Sequence, residues 1–82
     1  MRNEERKEFL AVFWEAMFVI IEEQKTTLSQ VVGNNVTLAK NKELNPTVIR
    51  LVCFAERMNF TFEGFMNKLT EEMGIIQDGS SN

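Results

Sequence analysis

The stretch FLAVFWEAMFVII, Phe9 to Ile21, carries one charged side chain in thirteen positions. It limits what this chain can become more than any other feature. A run this apolar must leave water, into a membrane, into an export pathway or into a core. A membrane-spanning helix needs about 20 consecutive apolar residues, and Glu15 interrupts a run that is already too short. An export signal requires a basic start, an unbroken apolar run and a small-residue cleavage site. Here the mixed-charge MRNEERKE precedes the run and EEQK follows it. A folded core is the remaining destination, with no membrane partner expected and a cytoplasmic location.

Laid on a helix at about 100° per residue, Glu4, Glu8, Glu15 and Glu22 fall in one narrow stripe. The apolar residues from Phe9 to Ile21 cover most of the remaining circumference, roughly 260°. Phe9, Phe13, Ala16, Met17 and Ile20 stand at the centre of that arc. Val12 and Val19 lie at one margin, and Trp14, Phe18 and Ile21 lie towards the other. The segment therefore reads as one long helix, Glu4 to about Gln24, that buries two faces. Its carboxylates form a solvated stripe rather than a catalytic pair, and Glu71 and Glu72 are likewise surface groups.

At 82 residues the chain makes one domain, near the size at which a single core needs staples or a partner. Apolar residues form 44% of it, so a compact core is within reach. His and Tyr are absent and Cys53 is the single cysteine. An intrachain disulfide and a four-ligand Cys/His zinc site are therefore excluded, and so is His-based acid/base or triad chemistry. No cofactor and no enzymatic activity are expected, and the lone thiol fits a reduced compartment. The net charge of −3 argues against a basic coat for nucleic acid, although phosphate contact needs positive charge only at the contact face.

Beyond the first helix, Thr26 or Thr27 is placed to cap a short helix at LSQVV. Gly33, Asn34 and Asn35 have the chemistry of a turn. VTLAKNKEL follows as a weak helix, with Val36, Leu38 or Ala39 inward. Asn45 as cap and Pro46 in the first turn open TVIRLVCFAERM, with Val48, Leu51, Val52, Ala55 and Met58 towards the core. Asn59 ends it, and Thr61 caps a last helix built on Phe62, Phe65, Met66 and Leu69. Residues 76–82 read as a flexible tail after a single domain, 1–75. No segment alternates as a strand does. The expectation is all-α, with five helices.

Short helix, Gly-containing turn, short helix, then Asn-Pro and two further helices: this order resembles the Cro/CI-type (lambda-repressor-like) helix-turn-helix regulators. The likeness covers about Thr26 to Leu69 and rests on NPTVIRLVCFAERMNFTFEGFMNKL. There Asn45, Pro46, Val48, Leu51, Val52, Phe54, Ala55, Glu56, Met58, Thr61, Phe62 and Phe65 match the family pattern in type and spacing. Leu28, Ser29, Val32 and Gly33 match its second helix and turn, and Thr37–Leu38 match the start of its recognition helix. The turn after Gly33 and the stretch from Leu38 to Pro46 are shorter than the family's usual spacing. The recognition helix also contains no Arg.

The resemblance implies a helix-turn-helix at about 26–42 and a small transcriptional regulator of phage or bacterial origin that binds double-stranded DNA. Its third helix would enter the major groove, with Asn34, Asn35 and Thr37 near base edges and Asn41 also on the DNA-binding face. Lys40, Lys42 and Lys25 would neutralise phosphates, and Thr26 and Thr27 would lie near another phosphate. Ile49 and Cys53 occupy positions that are usually polar in the family. With Val12, Trp14, Phe18 and Val19 from the first helix, they form the expected interface of a homodimer, the symmetry that paired half-sites require. The acidic balance and absent recognition arginines leave a second reading open, a protein-interaction module or phage inhibitor on the same scaffold.

Overall fold

A computed structural model of the chain describes residues 3–80, and every regular element among them is helical. The order is α1 (Asn3–Glu23), α2 (Leu28–Val32), a 3-10 turn (Gly33–Asn35), α3 (Val36–Lys40), α4 (Val48–Arg57) and α5 (Phe62–Ser80). The all-α expectation is met at that level, but the count of five separate helices is not. Residues 28–40 are helical without a break, so the described chain has four uninterrupted helical segments. The expected open turn has tightened into one 3-10 turn, in keeping with a connection too short to swing two helices apart.

Helices α1 and α5 form the most extensive pair. From α1, Phe13, Ala16, Met17 and Ile20 point into the core as the wheel places them, and from α5 Phe65, Leu69 and Met73 meet them. Each fully buried side chain of this size contributes about 1.5–3 kcal/mol. Trp14 is the hub: its ring lies 5.0 Å from Phe13, edge-on, and 6.3 Å from Phe54. Its indole N–H donates to the carbonyl of Leu44 at 2.7 Å, which binds the loop after α3 to the first helix. Phe9, by contrast, is 51% exposed, at the open edge of a groove between α1, α4 and α5.

Capping determines where the short helices begin. Thr27 caps α2, accepting from the Gln30 amide while Gln30 Oε1 accepts from the Thr27 amide, a reciprocal capping box. Thr61 accepts from the Gly64 amide at the start of α5. Helix α4 departs from expectation: Thr47, not Asn45, is its cap, accepting from the Arg50 amide. With the start shifted by two residues, Val48 lies in the first turn at 66% exposure rather than in the core. Phe54, with Ala55 and Met58, takes the buried side of α4.

Three helices end the same way. After α1, α3 and α4, the residues Lys25, Lys42 and Asn59 adopt positive φ (56°, 60° and 63°). In each case that residue's amide donates to the carbonyl three back, and the next amide donates to the carbonyl five back. This is the Schellman termination, whose left-handed position usually holds Gly. Helix α5 runs on through the expected tail as far as Ser80, with Ile76 against the core; residues 81 and 82 lie outside the described ones.

Candidate nucleic-acid interface

Residues 24–42 contain three lysines and no carboxylate, in a chain whose net charge is −3. The fold shows this segment to solvent on one side. Val31, Val32 and Ala39 turn inward, while Asn34, Thr37, Lys40 and Asn41 are exposed. Those four lie along one line, because three- and four-residue steps share a helix face. Asn35 is half-buried and stands beside the line rather than on it. Leu38, at 44% exposure, occupies the same outward side, although the sequence allowed it an inward place.

The remaining site candidates are engaged in building the fold. Thr26 Oγ1 donates to Gln30 Oε1 at 2.7 Å, and Thr27 Oγ1 accepts from the Gln30 amide. Both hydroxyls therefore secure the start of α2. Lys42 Nζ pairs with Glu15 Oε1 at 3.0 Å, so the charge expected to meet a phosphate is held against α1, and the Glu stripe is not wholly solvated. Arg57 donates from its guanidinium to the carbonyl of Val31, fixing the end of α4 to the end of α2. Lys25 is exposed, and among the described residues it has no ion-pair partner.

The expected dimer surface divides. Trp14 is fully buried and hydrogen-bonded within its own chain, so it is not presented to a partner. The wide apolar arc of α1 is consumed instead because α4, α5 and the Leu44 loop cover it from more than one direction. Val12 and Phe18 are half-buried against the core, and Val19 and Cys53 are also half-buried. Only Ile49, at 72% exposure, stands free as expected, and Val48 joins it.

Among the described residues, no cluster of His, Cys, Asp or Glu has the arrangement of a metal site. No described helix is long and apolar enough to cross a membrane. No protein-family model matches the chain, and neither a curated protein nor a solved structure shows significant similarity to it.

Two features of this face were not read from the sequence. One is the ion pair that occupies Lys42, which joins residues 27 positions apart and leaves no local signature. The other is the left-handed backbone of Lys25. EEQKTT does contain a signal for it, since a helix that ends just before a Thr cap must reverse within two or three residues.

Proposed function

We propose that the chain is a small DNA-binding transcriptional regulator of the repressor type, acting as a homodimer on paired half-sites. The observation that carries this reading is where the lysines stand. Lys25 and Lys42 bracket residues 26–41, each in a left-handed conformation that costs a non-glycine residue about 1–2 kcal/mol. Glycine would close both helices without that cost. At Lys42 the role of the charge is the ion pair with Glu15. Lys25 has no such partner among the described residues, which supports a role for its charge at a phosphate, and Lys40 adds a second on the exposed side of α3. Asn34, Thr37 and Asn41 then offer amide and hydroxyl groups suited to base edges. Val48 and Ile49 supply the apolar surface through which a second copy would set the half-site spacing.

The decisive substitution is Lys25→Gly, because it moves stability and affinity in opposite directions. Relief of the left-handed strain, partly offset by the freedom glycine adds to the unfolded chain, raises stability by about 0.5–1 kcal/mol in urea melts. Loss of a phosphate contact lowers affinity for genomic duplex and shallows the salt dependence by about one unit of slope. Lys40→Glu weakens binding further. If duplex is not bound even at low salt, or if Lys25→Gly binds as well as the natural chain, the regulator reading is wrong.

A second reading has one observation of its own. Leu38 is a large apolar side chain in the middle of the proposed DNA face, and exposed apolar groups of that kind also serve protein contacts. A protein-interaction module would lose its partner on Leu38→Ser and remain indifferent to salt.

A further inference from the structure

One concavity has no part in the DNA reading. The amino-terminal half of α1, the loop at Asn45–Pro46, Leu51 of α4 and the middle of α5 enclose a groove of about 420 Å³. Small-molecule sites commonly fall at roughly 300–1,000 Å³. Its walls are apolar, formed by Leu10, Phe13, Leu51, Met66, Leu69 and Met73, with the half-exposed Phe9 beside them. Arg6 and Lys7 line it from the first turns of α1, and among the described residues neither has an ion-pair partner.

The charges of α1 are sorted about this groove. At about 100° per residue, Arg6 falls on the same side of the helix as Leu10 and Phe13, with Lys7 at its margin. Glu4 and Glu8 fall on the opposite side, and Glu5 stands at the margin away from Lys7, outside the groove's lining. An apolar hollow lined by two cations and no carboxylate is complementary to a molecule with a hydrocarbon body and a single anionic end. A neutral apolar ligand would leave the cations unused, and a polar anion would leave the walls unused.

We infer that this groove binds an amphiphilic anion of the fatty-acid class. The tail lies along Leu10, Phe13, Leu51, Leu69 and Met73, and the carboxylate meets Arg6 and Lys7. The inference is independent of the regulator reading, and its test contains no DNA.

The test titrates the full chain with octanoate, decanoate, dodecanoate and 1-decanol, each below its aggregation concentration, by calorimetry and by amide NMR. Burial of two further methylenes tightens Kd roughly tenfold for each two-carbon step until the groove is full. Decanoate binds more tightly than decanol. The shifted amides cluster at residues 6–13, 45–46 and 66–73. Arg6→Gln with Lys7→Gln abolishes the preference for acid over alcohol, and Phe9→Asn weakens both ligands. All three positions are exposed, so the variants keep the helical circular dichroism spectrum, which is checked alongside. The inference is overturned by absence of saturable binding, by equal affinity for acid and alcohol, or by shifts centred elsewhere. Groove amides that broaden with protein concentration alone would assign the hollow to a second copy and overturn it as well.

Discussion

The α1–α5 pair and the segment between them, residues 24–47, are held by different forces. The long helices bury Phe13, Met17, Ile20, Phe65 and Leu69 continuously along their lengths, so their stability is spread over many apolar contacts. The intervening segment holds the helical stretch 28–40, in which α2 and α3 have five residues each, too short to persist alone. It adds Val31, Val32, Ala39 and Leu44 to the core and is further fixed by a few directed bonds: the Thr27 capping box, the two Schellman turns, Trp14 to Leu44, Lys42 to Glu15 and Arg57 to Val31. A distributed core tolerates single changes according to the volume removed. A segment pinned at points should respond to one atom.

Trp14 belongs to both regions and gives the largest expected effect. Trp14→Ala removes the hub of the aromatic cluster and costs about 3–5 kcal/mol, a large share of the 5–15 kcal/mol typical of a domain. Trp14→Phe separates the contributions: much of the ring packing survives, but the Leu44 carbonyl loses its donor, at about 1–3 kcal/mol. Urea melts give both values. Amide exchange in the phenylalanine variant should accelerate at residues 41–47 and change little in α5. Uniform acceleration would show that the pinned segment is not a separate region.

Gly33 comes next. It closes α2 at φ 66° and ψ −130°, a backbone position hostile to any side chain even though a methyl group there would meet nothing within 4 Å. Gly33→Ala therefore costs about 1–3 kcal/mol from backbone strain alone. The same substitution at Gly74, inside α5 with equally open space around it, should gain about 0.5–1 kcal/mol, because Ala is the better helix former. Opposite signs for one chemical change would express the difference between the two regions directly.

The same difference explains what the sequence disclosed. Periodicity located α1 within a residue at each end and gave Phe65 and Leu69 of α5, because repeated burial leaves a repeated pattern; Phe62, read with them, is exposed, and Met73 and Glu72 are buried without having been placed in the core. It erred wherever one distant bond decides. Trp14 sits near the margin of the apolar arc and was read as facing a partner; its place in the core depends on Leu44, 30 residues away. Lys42 resembles a solvated cation until Glu15 is brought to it by the fold. The cap of α4 turned on a choice between Asn45 and Thr47, two good capping residues, and that choice moved Val48 from core to surface. In the candidate site, the outward Lys40 and Asn41 were legible from helical spacing, whereas Asn34 and Thr37 came from the family resemblance alone. The groove at Arg6 and Lys7 was not legible, since four separate segments form it.

The choice of cap gives a smaller and sharper test. Thr47→Ala removes the hydroxyl that accepts from the Arg50 amide and costs about 1 kcal/mol. Asn45→Ala, at the position the sequence favoured, should change stability by no more than about 0.5 kcal/mol, as ordinary surface substitutions do. Reversed magnitudes in urea melts would restore Asn45 as the cap.

The smallest effect lies in the distributed region and concerns a polar junction between its two helices. Lys68 bridges Glu72 at 3.0 Å and Glu23 at 3.2 Å, tying the middle of α5 to the end of α1. Hydrogen bonding to Glu72, then to Glu23, raises the Lys68 pKa above its ordinary 10.5. A cation whose pKa is raised by folding contributes its full stabilisation below the unfolded value, and that contribution fades as pH climbs through the folded one. The pair should therefore act unchanged from neutral pH to about 10 and weaken only above 10.5. Lys68→Met isolates it: the stability difference between the two proteins, followed from pH 8 to 11.5, should stay flat and then narrow at the alkaline end. Because Lys68 is solvent-accessible, the difference should be modest throughout and shrink with added salt. A gap that opened as pH rose, or one that collapsed between pH 8 and 9, would mean that the junction is not an ion pair of this kind.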